Sequence, residues 1–231
     1  MIWLGNQFDF DAGSILNFHK PEGKSSFWIV KQVRKIVQAK VGHAGTLDPF
    51  ARGVLILCTG KATKTISQFV NLPKIYIGDI ELGKTTNTDD VTGAVISEAE
   101  IPPLDIQMAR NICNAFVGDI WQIPPMFSAK KINGKPMYKI ALAGEVVPRR
   151  PSLVHVENIE VLSFDDEIIK IKVSCSKGTY IRALARDIGI KIGCGAFLKS
   201  LTRTQIGSFK IEESLDLDRF EEIVTKNQPL G

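Results

Sequence analysis

Histidine and cysteine are scarce, with three and four in 231 residues. His19, His43 and His155 are too few and too scattered for a histidine-rich metal centre. Cys58, Cys113, Cys175 and Cys194 lack the CxxC spacing of a zinc site and the density of a disulfide framework, so they read as reduced thiols. No apolar run approaches the ~20 residues of a membrane span. The start, MIWLGNQFDFDAGS, lacks the basic opening and long apolar stretch of a signal peptide. Repeats and low-complexity tracts are absent too. What remains is ordinary globular composition, 44% hydrophobic and 23% charged, enough to bury a core in one large domain or two small ones. A soluble cytoplasmic protein is the expectation, with no membrane partner and a monomer as the default.

The net charge of +4 says less than its distribution. Residues 124–152 carry Lys130, Lys131, Lys135, Lys139, Arg149 and Arg150 against the single acid Glu145. Residues 212–222 are the reverse, six acids against Arg219. One basic segment on a near-neutral chain suits contact with a polyanion; a solvated lysine-rich loop would look the same.

Local patterns give the elements. Residues 14–18 read as a strand that turns at Lys20-Pro21-Glu22-Gly23. Ser25 and Ser26 are candidate caps for a helix whose Phe27, Ile29, Val30, Val33, Ile36 and Val37 recur at helical spacing. Residues 42–53, GHAGTLDPFARG, read as a loop before an apolar strand at 54–58. Gly60 opens a predicted helix over 61–70, and 74–82 alternates as a strand. Residues 86–93 form a polar turn that lacks the spacing and distal Glu of a calcium loop. Further on come a helix at 105–116 and a basic loop at 124–152 holding a short helix at 136–143. Paired strands follow at 153–162 and 167–176, then a helix at 179–190 ended near Gly193, and two short strands within 198–209. Long strands with a few helices predict an α+β fold, a mixed and mostly antiparallel sheet flanked by helices with an inserted basic segment.

Asp48 stands between a glycine-punctuated stretch and Pro49. A surface turn would use these residues, and so would a loop that fixes one carboxylate beside a pocket. The segment Cys175 to Arg182 leaves a strand and enters a helix, which makes Arg182 a candidate partner for Asp48. An arginine beside an aspartate keeps the carboxylate ionised and oriented. Such a carboxylate, with no metal and no histidine base, suits nucleophilic attack on carbon. Structural Asp–Arg pairs are also common, and the pairing by itself leaves both readings open.

Taken together, the motifs are far more specific. In order along the chain stand Lys20–Gly23, Gly42–Gly53, Lys74-Ile75-Tyr76, Thr86–Gly93, Pro124–Lys131 with Asn133–Pro136, Cys175–Arg182 and Leu201-Thr202-Arg203-Thr204. By these elements the chain resembles the TruB family of bacterial tRNA pseudouridine synthases over nearly its whole length. The resemblance implies the pseudouridine synthase fold. It makes Asp48 the nucleophile on a flipped uridine, with attack at C6 of the base or at C1′ of the sugar both open. Tyr76 would stack on the flipped base, Arg182 would pair with Asp48, and Tyr180 and Leu201 would line the uridine pocket. His43 would stack where the nucleotide left, and Lys20, with Pro21, would support the site. Residues 124–152 match the family's thumb, in which Lys130, Lys131, Lys135, Arg149 and Arg150 would neutralise phosphates. The implied substrate is uridine 55 in the T-stem-loop of tRNA, recognised by shape and splayed bases. No cofactor is implied, because the isomerisation has no net redox change and no group donor.

Two features depart from the family's pattern. The familiar Asp-Lys-Pro is here His19-Lys20-Pro21. Many members continue into a C-terminal PUA RNA-binding domain, whereas here residues 211–231 are expected to be a short acidic tail after a catalytic domain at 1–210. RNA affinity is then expected to rest on the core and thumb, and no guide RNA is expected. The rival reading is a non-catalytic tRNA-folding chaperone, which would leave Asp48 dispensable. A glycoside or nucleoside hydrolase would need a second placed carboxyl, and no motif near Asp48 supplies one.

Overall fold

The computed structural model describes residues 3–5, 9–128, 130–132, 134–145 and 147–226, which fall into two compact units. The first comprises residues up to 75 and from 202 onward, and the second spans 76–201. The chain crosses between them inside two strands, Lys74–Leu82 and Ala196–Ile206. Among the described residues no helix is long and apolar enough to cross a membrane.

The first unit is organised on the strand Arg52–Thr59, of which only Arg52 is exposed. One edge pairs antiparallel with Ser14–Lys20, from Ile15 opposite Cys58 to Lys20 opposite Gly53. The other edge is shared by two partners. Val41–Ala44 pairs antiparallel with its far end, Ala44 opposite Ile56, while Thr202 and Arg203 run parallel to Arg52 and Gly53. Between these partners the ladder is open, and there the chain from 45 to 51 leaves the sheet. The expected loop at 42–53 is therefore shorter, because its first three residues and its last two are strand.

The helix Ser26–Val37 covers one face, burying Ile29, Val30 and Val33. The two serines divide the work: Ser25 caps the helix by accepting from Trp28 N at 3.1 Å, and Ser26 turns inward. Residues 60–70, expected as one helix, are a 3-10 turn Gly60–Thr65 followed by a short helix Ile66–Val70. Thr63 and Thr65 donate back to the carbonyls three residues earlier, at Gly60 and Ala62, which favours the tighter winding. Residues 211–226, expected as an acidic tail, are docked. Leu215 bonds the backbone of Asn17 and His19, and the helix Leu217–Lys226 buries Phe220 against Phe10 and Phe18. Its acids face water while an apolar stripe packs, a division that net charge alone concealed.

In the second unit the neighbouring strands are Lys74–Leu82, Ile168–Cys175, Ser152–Asp165 and Gly118–Gln122. The pair 152–165 and 168–175 is an antiparallel hairpin, and 118–122 adds antiparallel as an edge. Tyr76, Gly78, Ile80 and Leu82 form the buried face of their strand, as the alternation predicts. Its longer helices are Ile106–Asn114, capped by Asp105, and Ile181–Ile192, ended by Gly193 in the left-handed region. The basic segment holds a small ladder, Lys131–Ile132 with Lys135–Pro136, and the helix Met137–Leu142.

Candidate active site

In the first unit several groups hold the backbone of the Asp48 loop. Ser26 Oγ accepts from Leu47 N at 2.9 Å and donates to Leu47 O at 3.1 Å, clamping the residue before Asp48. Asp48 O accepts from Ala51 N at 3.1 Å, closing a turn across Pro49-Phe50. Pro49 O accepts from Gly23 N and from Lys20 Nζ. Leu47 and Phe50 are buried and Asp48 is half-buried, so the flanking residues sink into the core while the carboxylate-bearing residue stays near the surface.

Lys20, read from the sequence as a support of the site, reaches this loop from the end of the strand Ser14–Lys20. The residue is fully buried and its ammonium donates to the carbonyls of Pro21, Lys24 and Pro49 at 2.8, 2.5 and 3.2 Å. It tethers the loop to the turn at 21–24. Burial pushes its pKa down to about 8, opposed in part by the nearby Asp48 charge. With the folded value below the ordinary 10.5, this group's stability term is fully present above 10.5 and is lost as pH falls through 8. Rising pH therefore does not unfold the protein through Lys20, but a neutral amine has two protons for three carbonyls. Activity is expected to fall above about pH 8 without a matching loss of stability, and Lys20→Met should show a low rate and no such limb. A pH–rate profile of both proteins checks this; the same limb in the variant would assign it to another group.

Arg203, 1% exposed, fills the gap in the ladder. Its Nε donates to Val54 O at 2.8 Å, the carbonyl that lies between the two strand partners, and its NH2 donates to Gly45 O at 3.1 Å where the loop begins. Gly53 has φ +112°, and a Cβ there would come 2.2 Å from Arg203 O, so only glycine permits this approach. Sequence reasoning quoted Arg203 in a motif without giving it a role. Arg203→Met should leave two buried carbonyls unpaired and cost about 2–4 kcal/mol, read from the denaturant midpoint. His43 lies on the adjoining strand, its pKa lowered by burial and by Arg203 and weakly opposed by the Gly45 backbone, whose geometry makes no hydrogen bond to the buried Nδ1. A neutral imidazole at this place suits stacking better than charge.

In the second unit Arg182 enters the first turn of its helix and is 4% exposed. Its NH1 pairs with Asp90 at 3.2 Å and donates to Thr88 O at 3.0 Å, and its NH2 donates to Phe127 O at 2.9 Å. Asp90 is itself held by Thr88 and Thr92, at 2.8 Å from Thr88 Oγ and 2.9 Å from Thr92 N. Sequence reasoning assigned Asp90 no part, because the turn 86–93 carries two acids and nothing in it separates them. Tyr180 is fixed by its backbone: Gln122 accepts from its N at 3.0 Å and donates to its O at 3.3 Å. Tyr76 and Leu201 are largely buried, at 8% and 6% exposure. Gly78 shares the buried face with Tyr76, and a Cβ there would crowd Ser200 O at 3.1 Å and Leu198 at 3.2 Å.

The basic segment divides on inspection. Lys130, Lys135, Lys139 and Arg150 are exposed, although Lys130 also reaches Ser152 Oγ. Arg149, expected to face phosphate, is half-buried and donates to Pro124 O at 3.1 Å, tying one end of the segment to the other. The Lys131 side chain, Ala129 and Asn133 lie outside the described residues.

Over 93% of its length the chain superposes on a chain of a Cbf5–Nop10–Gar1 complex with TM-score 0.72 and 28% identity. It superposes over 92% on a chain of an H/ACA RNP bound to a substrate RNA containing 2′-deoxyuridine, with TM-score 0.69 and 26% identity. It spans about half the length of those solved chains, 54% and 53%. The fold is that of the pseudouridine synthases. Residues 33–181 match the TruB family pseudouridylate synthase N-terminal domain, and 182–230 the tRNA pseudouridylate synthase B C-terminal domain. Proteins called tRNA pseudouridine synthase B are 44% identical in Bacteroides fragilis, over 93% of this chain and 95% of the relative, and 42% in Francisella philomiragia, over 94% and 72%. The chain belongs to the TruB family of pseudouridylate synthases.

Proposed function

We propose that the chain converts uridine to pseudouridine in tRNA, at position 55 of the T-stem-loop, as a cytoplasmic monomer that needs no guide RNA. The observation that carries the reading is a loop whose backbone is held by Ser26, Lys20 and Arg203 and which carries one acid, the half-buried Asp48. The reaction breaks the C1′–N1 bond, forms C1′–C5, removes the proton from C5 and places one on N1. Nothing is oxidised and no group is donated, so the chain's own side chains suffice. Asp48 acts as nucleophile, at C6 or at C1′; either route needs the ionised form. Tyr76 stacks on the flipped base, Tyr180 and Leu201 bound it, and Arg182 holds the Asp48 charge. His43 fills the place that the base leaves.

Residues 1–210 are assigned the chemistry, and 124–152 the grip on RNA through exposed lysines and Arg150. The T-loop suits this assignment because its splayed bases present an unstacked uridine to the site. A folding chaperone without chemistry is not favoured, since it gives no reason for so rigid a loop around one acid. The test is chemical labelling of pseudouridine in an unmodified tRNA transcript. Product confined to position 55 supports the reading, and product elsewhere moves the substrate assignment.

A further inference from the structure

We propose that Asp89 and Arg186 form a positioning pair for RNA binding, holding the backbone at 123–127 from which the basic segment springs. The inference rests on the reading of 124–152 as the arm that grips RNA. Asp187 Oδ1 and Asp89 Oδ2 orient the Arg186 guanidinium, at 2.9 Å from Nε and 3.0 Å from NH1. This leaves NH2 to donate to Ile123 O at 3.0 Å. Arg149, from the other end of the arm, donates to Pro124 O, and Arg182 donates to Phe127 O. Three guanidiniums thus hold three carbonyls within five residues, and Asp89 is the acid that Arg149, Arg182 and Arg186 all act on.

Two features make Asp89 a position where charge can be separated from shape. Burial pushes its carboxyl pKa up while Arg186, Arg182 and Arg149 pull it down, so the acid is held among three guanidiniums. It also adopts φ +60°, a left-handed backbone that asparagine tolerates at least as well. The turn itself is held through the backbone, by Leu198 N on Asp89 O at 3.0 Å and Asp89 N on Thr86 O at 3.3 Å. Asp89→Asn therefore removes the charge and leaves the turn in place. Because Phe127 O and Asp90 share the Arg182 guanidinium, the arm's root and the catalytic arginine are also joined.

The experiment uses the whole chain as wild type, Asp89→Asn, Arg186→Gln and the double variant. Filter binding gives the tRNA Kd, pseudouridine release gives kcat and KM, and hydrogen exchange reports amides 126–128. Each single variant is expected to raise Kd and KM about fivefold, with kcat changed less than about threefold. The double should be no worse than either single, and exchange at 126–128 should rise in all three. A lowered melting temperature with unchanged Kd would make the pair merely structural and overturn the inference. So would additive effects in the double. Wild type that binds tRNA without making product would instead sink the proposed function while the Kd comparison still stands.

Discussion

Asp48→Asn is expected to abolish pseudouridine formation, lowering the rate by at least ~10³-fold. Transcript binding should stay within about threefold of wild type, because the change is isosteric and touches no phosphate-neutralising residue. The expectation follows from how the loop is built. Ser26 clamps Leu47, Lys20 and Gly23 hold Pro49, Arg203 holds Gly45, and Ala51 bonds the Asp48 backbone. These bonds hold the loop through its backbone, so an amide of the same shape should leave the loop in place and fail as a nucleophile. Labelled product from wild type and none from the variant, with equal binding, establishes the role. Product from the variant at the wild-type rate removes Asp48 from the chemistry. Two proteins that both bind and both fail to react would restore the chaperone reading.

The second large effect is expected at Asp90. Arg182 and Asp90 pair with side-chain exposures of 4% and 5%, far from the regime in which solvent screens an ion pair to insignificance. Asp90→Ala withdraws the carboxylate from a buried guanidinium and should cost about 3–5 kcal/mol. It also strands the groups of Thr88 and Thr92 that donate to Asp90. Asp90→Asn keeps an acceptor for these donors and should be milder in stability, yet it still loses the charge that orients Arg182. Urea midpoints at constant slope give the first quantity, and single-turnover rates on folded protein give the second. An alanine variant as stable as wild type would mean that other groups already satisfy Arg182, and a positioning role for Asp90 would be lost.

Much of the protein was legible in its sequence because it depends on neighbours. Ser25 caps its helix three residues on, Tyr76 to Leu82 alternate on a strand, and Gly193 ends a helix by adopting a backbone that other residues resist. The order of the motifs pointed to the family, and the glycines and proline around Asp48 marked a tight, stiff loop. The sequence misled where one composition admits two structures. Six acids at 212–222 looked like a solvated tail, but Phe220 and Val224 recur at helical spacing and pack into the core.

The sequence by itself determined most of the elements and the family, and put forward Asp48, since each is encoded within a few residues or in motif order. Only the tertiary structure decided what holds that acid in place. Arg203 reaches Val54 and Gly45 across 149 and 158 residues, and the carbonyl it satisfies is unpaired only because two strand partners stop short of each other. Lys20 acts as a tether because three carbonyls converge on one buried ammonium. Asp90 was distinguished from Asp89 by which arginine the fold brings to each. Buried polar groups must find partners wherever the chain crosses, and no local spacing records where that will be.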